Sequence, residues 1–322
     1  MSKSLLFLVL TALCAAAFAA ETATNGEVII GGYVPKKSLS FIALVLYGIS
    51  ALVMWIQFFV VTPRRKFILW LTCGMTAMAV GFALRILFSN DPTSEGKYIE
   101  MDLFILLSPC LFLANNYMIL SHLGRVFPPE VVERSLIVRQ SRIVKIFVWS
   151  DVTTFLLQSA GGSLTVSKNA NTAKLGNTAR SLIGEIGIIL QAVSYSLFTV
   201  VFLAFGSRIR KNFPDLWNIQ TQKPFRVLSR QPIEDWRILF FTVCITCIGI
   251  LIRSIFRIVE FVGGYHGRVQ THEGYFYVLD ALPLWISMTL YCFVWPIRAF
   301  NRPQLTQSPS VMELAGKQYA GV

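Results

Sequence analysis

Seven apolar runs, each long enough to cross a bilayer as a helix, constrain this chain more than anything else in its sequence. They fall at about residues 39–61, 67–88, 99–125, 146–166, 181–205, 238–261 and 275–295. A hydrocarbon core ~30 Å thick needs about 20 apolar residues at 1.5 Å of rise each. Backbone groups in hydrocarbon must be satisfied within the segment, so the expected fold class is all-α: a polytopic membrane protein with seven transmembrane helices. Composition agrees. Hydrophobic residues make up 54% of the chain, charged residues only 14%, and the mean hydropathy is +0.59; soluble domains carry about 25% charged residues. Pro109 and Pro283 fall inside spans and read as kinks rather than ends.

The segments around the spans set the organisation. Residues 1–20 read as a cleaved signal peptide, with Lys3 ahead of an apolar stretch from Leu5 to Ala17 and Ala17-Phe18-Ala19 as a small-x-small site. An uncleaved short anchor is the alternative, and it leaves the same topology. Residues 21–38 then form a short extracellular N-terminus, 39–296 the seven-helix bundle, and 297–322 a cytosolic tail expected to be disordered.

Basic residues choose the orientation. Alternate connections and the C-terminal tail carry 18 Lys and Arg, among them Arg64, Arg134, Arg142, Arg208, Lys211, Arg226 and Arg298, against 7 on the opposite side. That bias puts the N-terminus outside and the C-terminus in the cytosol. The net charge of +12 then belongs to cytosolic loops facing anionic inner-leaflet lipid, not to a nucleic-acid surface.

Several chemistries are disfavoured. Cys73, Cys110, Cys244, Cys247 and Cys292 all lie within spans, so no disulfide framework is expected, and Cys244-x-x-Cys247 reads as buried thiols. His122, His266 and His272 are the only histidines, too few and too scattered for an intramembrane metal site. No phosphate-binding G-x-x-x-x-G-K-Ser/Thr stretch marks an ATP-driven pump. The expectation is a non-enzyme without cofactor or metal.

The informative charges are those inside the spans, where each costs at least ~2.5–3.5 kcal/mol. Arg85, Asp102, Glu185, Arg253, Arg257, Glu260 and Asp280 should sit toward the outer end, and Asp151 toward the inner face. Arg253, Arg257 and Glu260 share one helical face, so Arg257 can meet Glu260 while Arg253 reaches a carboxylate on another helix. Arg85, Arg253, Arg257 and Glu260 therefore read as a structural ion-pair network. Asp102 and Asp280 have no base within one turn of their own helices. With Glu185 they are candidates to attract a cationic headgroup. Asn115, Asn116, Gln158 and Gln191 lie near the midplane. Asp151 with Gln158, and Asp102 with Asn116, make stripes that line a polar path or hold helices together by hydrogen bonds.

Certain stretches resemble one fungal family: Tyr33-Val34-Pro35, Gly81-Phe82 with Arg85, Ser108-Pro109 with Ala114 and Tyr117, Phe147 with Asp151, and Gln158 through Gly162. The strongest match runs from Leu251 to Glu260, followed by His272-Glu273 and Asp280. Together they are similar to the fungal lipid-translocating exporters, the RTA-like or aminocholesterol-resistance proteins. Trp295-Pro296 stands where family members often have His-Pro, and the loop after the fifth span is idiosyncratic. The resemblance implies a seven-helix plasma-membrane protein linked to resistance against amphiphilic toxins, with one branch releasing sphingoid long-chain bases and another moving porphyrins. The expected partners are membrane lipids and an amphiphilic substrate. A seven-helix receptor or sensor of amphiphile stress is the alternative, and a porphyrin or sterol-like transporter a second one. Against a receptor, the third span ends Ser121-His122-Leu123-Gly124-Arg125 and the seventh lacks Asn-Pro-x-x-Tyr.

Overall fold

The computed structural model describes residues 35–61, 65–127, 129–136, 140–166, 177–217, 236–262 and 273–297. The segment expected to be a signal peptide, the tail beyond 297 expected to be cytosolic, His266 and His272 lie outside the described residues.

Seven long helices carry the fold: α1 (Lys37–Val60), α2 (Leu69–Phe88), α3 (Glu95–Val126), α4 (Gln140–Val166), α5 (Asn177–Asn212), α6 (Trp236–Val262) and a composite α7. A 3-10 turn, Lys66–Ile68, leads into α2, and short helices at Pro129–Ser135 and Pro214–Trp217 follow α3 and α5. Each long helix contains a stretch apolar and long enough to span a membrane.

Consecutive helices pack side by side, and α7 returns against both α6 and α1, so the seven close into a ring. Within it α3 is the most enclosed, with 67% of its apolar stretch buried against 28% for α4. The inward faces are aromatic: Tyr47, Phe82, Phe112, Tyr117, Tyr195, Phe198, Phe202 and Tyr291 are fully buried. The outward faces are aliphatic and exposed, as at Leu52, Leu156, Ile186, Leu197, Val200, Ile248 and Ile255. In water such surface would be a liability; against lipid tails it is at no disadvantage.

Helix α7 is built in three pieces, a turn at Glu273–Tyr275, a π-helical segment at Phe276–Ala281 and an α-helix at Leu282–Phe293. Pro283 accounts for the break, because proline has no N–H to give and its ring clashes with the carbonyl four residues back. The backbone relieves this with a wide turn, in which Leu282 N–H donates five residues back to the Tyr277 carbonyl. Side chains on α1 complete the repair. Tyr47 donates to the Ala281 carbonyl at 2.7 Å, and the Ser40 and Tyr277 hydroxyls meet at 2.9 Å.

Close approach of α6 to this kink depends on Gly249, where a Cβ would collide with Ser287 Oγ and lie 2.9 Å from the Pro283 carbonyl. That contact fixes the antiparallel register of α6 and α7. One turn further along it sets Arg253 against Asp280, and another turn on Arg257 against Phe276.

Candidate functional site

At the end of the bundle where α2 meets α3 and α6 meets α7, three arginines are held by carboxylates. Arg253 forms an ion pair with Asp280, whose other oxygen lies 2.6 Å from Arg257 Nη2. Arg257 Nη1 also reaches Glu260 at 3.1 Å. Arg85 pairs with Glu273 at 3.4 Å and stacks its guanidinium over the Phe276 ring at 4.5 Å. Glu273 accepts in addition from the Lys36 backbone N–H at 2.9 Å, tying the start of α1 to the start of α7. Each arginine thus has an acid, and most of the acids come from the π-kinked helix.

Asp280 is fully buried between these two guanidinium groups. The sequence offered it as an open carboxylate because α7 has no base within a turn of it. The structure supplies two bases from α6 instead, brought close by Gly249 and the wide turn. Glu273, named above only among the family-like residues, is 2% exposed and serves as the partner of Arg85. Its signal was present: Arg85 has no acid on its own helix within one turn and needed one from elsewhere. Asp102 and Glu185 are only partly buried and have no ion-pair partner among the described residues. Asp102 still lies within electrostatic reach of Arg257, Glu260, Arg253 and Arg85.

Beneath this end, a small cleft with room for about two water molecules lies among α3, α4, α5 and α6. Arg253, Ser254 and Arg257 form one wall, Gln158 and Gln191 the polar part of another, and Leu106, Leu113, Ile188 and Ile250 the apolar remainder. Pro109 lines it as well. Lacking an N–H, Pro109 frees the Ile105 carbonyl, which accepts from Arg253 Nη2 at 3.4 Å. Asp102 stands on the same α3 face one turn above Leu106, and Glu185 on the same α5 face above Ile188, so both flank the approach to the cleft.

A relay of amides and sulfur crosses the cleft. Gln158 Nε2 donates to Gln191 Oε1 at 2.8 Å, and Gln191 Nε2 to Cys110 Sγ at 3.4 Å. The α4–α5 side of this relay depends on Gly187, where a Cβ would come within 3.0–3.1 Å of Gln158, Leu157 and the Thr154 carbonyl. Asn116 is knotted deeper in the bundle. Its Nδ2 donates to Tyr195 at 3.0 Å and Thr246 at 3.1 Å, and its Oδ1 accepts from Tyr291 at 2.9 Å. Sequence reasoning singled out the amide but missed these tyrosines, which carry a polar handle on an apolar ring. The neighbouring Asn115 is buried with both amide atoms lacking a hydrogen-bond partner. Asp151, expected toward one membrane face, lies instead near the middle of α4, because that helix begins at Gln140, and is 3% exposed.

A closed ring of seven apolar helices with buried ion pairs at one end defines a multi-pass membrane protein. The model of the family described as RTA1 like protein matches residues 71–303, and the chain belongs to that family. Among curated proteins it is 32% identical to Protein RTA1 of Saccharomyces cerevisiae over 70% of this chain and 64% of that one. It is 32% identical to Protoporphyrin uptake protein 1 of the same yeast over 66% and 62%, so it spans a little under two thirds of the length of these relatives. It is also 24% identical to the Sphingoid long-chain base transporter RSB1 of Saccharomyces cerevisiae over 87% of this chain and 77% of the relative. No solved structure matches.

Proposed function

We propose that the protein moves amphiphilic lipids across the bilayer, taking sphingoid long-chain bases or similar cationic amphiphiles toward the outer leaflet and so conferring resistance to them. The charge bias of the loops orients the ion-paired end outward, in a plasma membrane reached by the secretory route. The observation that carries the reading is the lining of the cleft among α3, α4, α5 and α6, which combines both kinds of surface an amphiphile needs and would have to widen to admit one. Leu106, Leu113, Ile188 and Ile250 suit an alkyl chain, while Gln158, Gln191 and Ser254 suit its hydroxyl groups. Asp102 and Glu185 bring negative charge to the approach, where an ammonium group would enter. The ion pairs among Arg85, Arg253, Arg257, Glu260, Glu273 and Asp280 hold the surrounding helices. Relatives named as a sphingoid long-chain base transporter and a probable lipid transporter support the same reading.

A second reading has its own observation. Arg253 and Arg257 face the cleft and suit a carboxylate-bearing amphiphile such as a porphyrin, and one relative is named for protoporphyrin uptake.

The test is transbilayer movement in liposomes holding the purified protein, followed with a fluorescent sphingoid base and a membrane-impermeant quencher. The expected result is equilibration faster than in protein-free vesicles, slowed by Asp102→Asn with the protein still folded. A rate equal to that of empty vesicles would overturn the transport reading in favour of a membrane sensor. Acceleration of a porphyrin but not of the sphingoid base would favour the second reading.

A further inference from the structure

We propose that Asp151 is a proton-binding site set below the cleft, with the Tyr117 hydroxyl as its companion, and that lipid movement is coupled to protonation there. The coupling rests on the transport reading above; the proton site does not.

The geometry is unusual for a carboxyl group. Asp151 is 3% exposed on α4, and neither of its oxygens meets a hydrogen-bond partner among the described residues. Every arginine in the ion-paired cluster is committed elsewhere, and no described ion pair includes Asp151. An isolated carboxylate in hydrocarbon is strongly disfavoured unless a cation or several donors surround it. Here the surroundings are rings. Tyr117 packs on Phe147 at 5.3 Å and Phe198 at 4.6 Å between centroids. Its hydroxyl faces Asp151, and it too has no partner within hydrogen-bond geometry.

The titratable groups facing Asp151 are few. From α3 they are Tyr117 and, within electrostatic reach, Cys110. From α5, Tyr195 stands behind Tyr117, its ring 6.3 Å from it. Among the described residues, no lysine or arginine pairs with Asp151 from either helix packed on α4. A hydronium ion gives its proton to an Asp151 oxygen, forming the O–H bond and leaving water; release reverses the step. The neutral acid needs no cation, whereas the carboxylate needs donors, and the Tyr117 hydroxyl is the one that faces it across the α3–α4 interface. Protonation and helix packing are therefore linked.

Position ties this site to the cleft. Asp151 and Gln158 share one face of α4, about 10 Å apart along the axis. On α3, Tyr117 and Cys110 have the same spacing on the facing side. Gln158, Gln191 and Cys110 make the polar bridge of the cleft, so the bridge and the Asp151–Tyr117 pair are two steps of one column. A lipid headgroup that displaces the amide bridge disturbs the α3–α4 packing that encloses Asp151.

The test uses the full chain in liposomes and dicyclohexylcarbodiimide, an apolar reagent that modifies protonated carboxyl groups within hydrocarbon. Mass spectrometry should find the adduct on Asp151, its yield falling about tenfold per pH unit once the site titrates, and no comparable adduct on Asp280 between its arginines. Asp151→Asn should abolish the response of lipid equilibration to an imposed pH gradient. If that variant does not fold, Tyr117→Phe keeps the carboxyl group and should move the labelling profile along the pH axis. Absence of an Asp151 adduct at every pH in the folded wild type, or a yield independent of pH, would overturn the proposal. Labelling with the expected pH profile and no lipid movement would leave the proton site standing and remove the transport reading.

Discussion

Asp280→Leu tests whether the α6–α7 ion pairs are the clasp of the bundle. Asp280 is fully buried, with Arg253 on one oxygen and Arg257 on the other. Removing it leaves Arg257 with Glu260 at 3.1 Å, but leaves Arg253 only the Ile105 carbonyl at 3.4 Å. Stranding one partner of a buried pair costs about 3–5 kcal/mol, so Asp280→Leu should lie in that range. Arg253→Met is milder, because Asp280 keeps Arg257, and about 2–3 kcal/mol is expected. Arg257→Met should be mildest, since Arg253 still holds Asp280 and Glu260 is partly exposed. The Arg253→Met/Asp280→Leu double variant removes both halves of the stranded pair, so it should be less destabilised than the two single losses summed, by about 2 kcal/mol. Unfolding in mixed micelles, titrated with sodium dodecyl sulfate and followed by circular dichroism, measures all four corners of the cycle. Additivity to within about 0.5 kcal/mol would refute the clasp.

Other substitutions probe separate parts of the structure. Gly249→Val should push α6 from the Pro283 kink and cost at least the ~1–3 kcal/mol of an overpacked contact, read by the same titration; an unchanged midpoint would contradict the close approach. Asn116→Leu removes three hydrogen bonds, each worth ~0.6 kcal/mol in membranes, so a loss near 2 kcal/mol is expected. In the α2–α3 turn, the hydrogen bonds of Asp91 to Lys97 and then Thr93 hold its carboxyl below the usual carboxylate range. Its stabilising contribution is complete above the ordinary value of about 3.9 and disappears as pH falls through the lowered one. Asp91→Asn should therefore lower the melting temperature slightly at neutral pH, with the gap closing in acid; a gap that widens in acid would reverse the sign.

Much of this architecture was legible because membrane helices announce themselves by length and composition. The spans expected at 67–88 and 99–125 correspond to helical stretches Lys66–Phe88 and Gly96–Arg125. Spacing on a single helix was legible too: Arg257 and Glu260, three residues apart, meet in the structure. Pairing between helices was not. Asp280 looked open from its own helix, and its arginines became visible only once Gly249 and the π-turn fixed the α6–α7 register. The pairing of Glu273 was hidden because the seventh apolar run begins at Tyr275, two residues inside the helix start. The cleft had no signature in sequence, since its lining comes from four helices and one or two turns of each.

Photo-crosslinking with a bifunctional sphingoid base, its diazirine placed in the alkyl chain, tests the central claim most directly. In membranes containing the folded protein, adducts should concentrate on Leu106, Leu113, Ile188 and Ile250, be displaced by unlabelled base, and diminish in Asp102→Asn. Adducts confined to the lipid-facing Leu156, Ile186 and Leu197, with no competition, would contradict it.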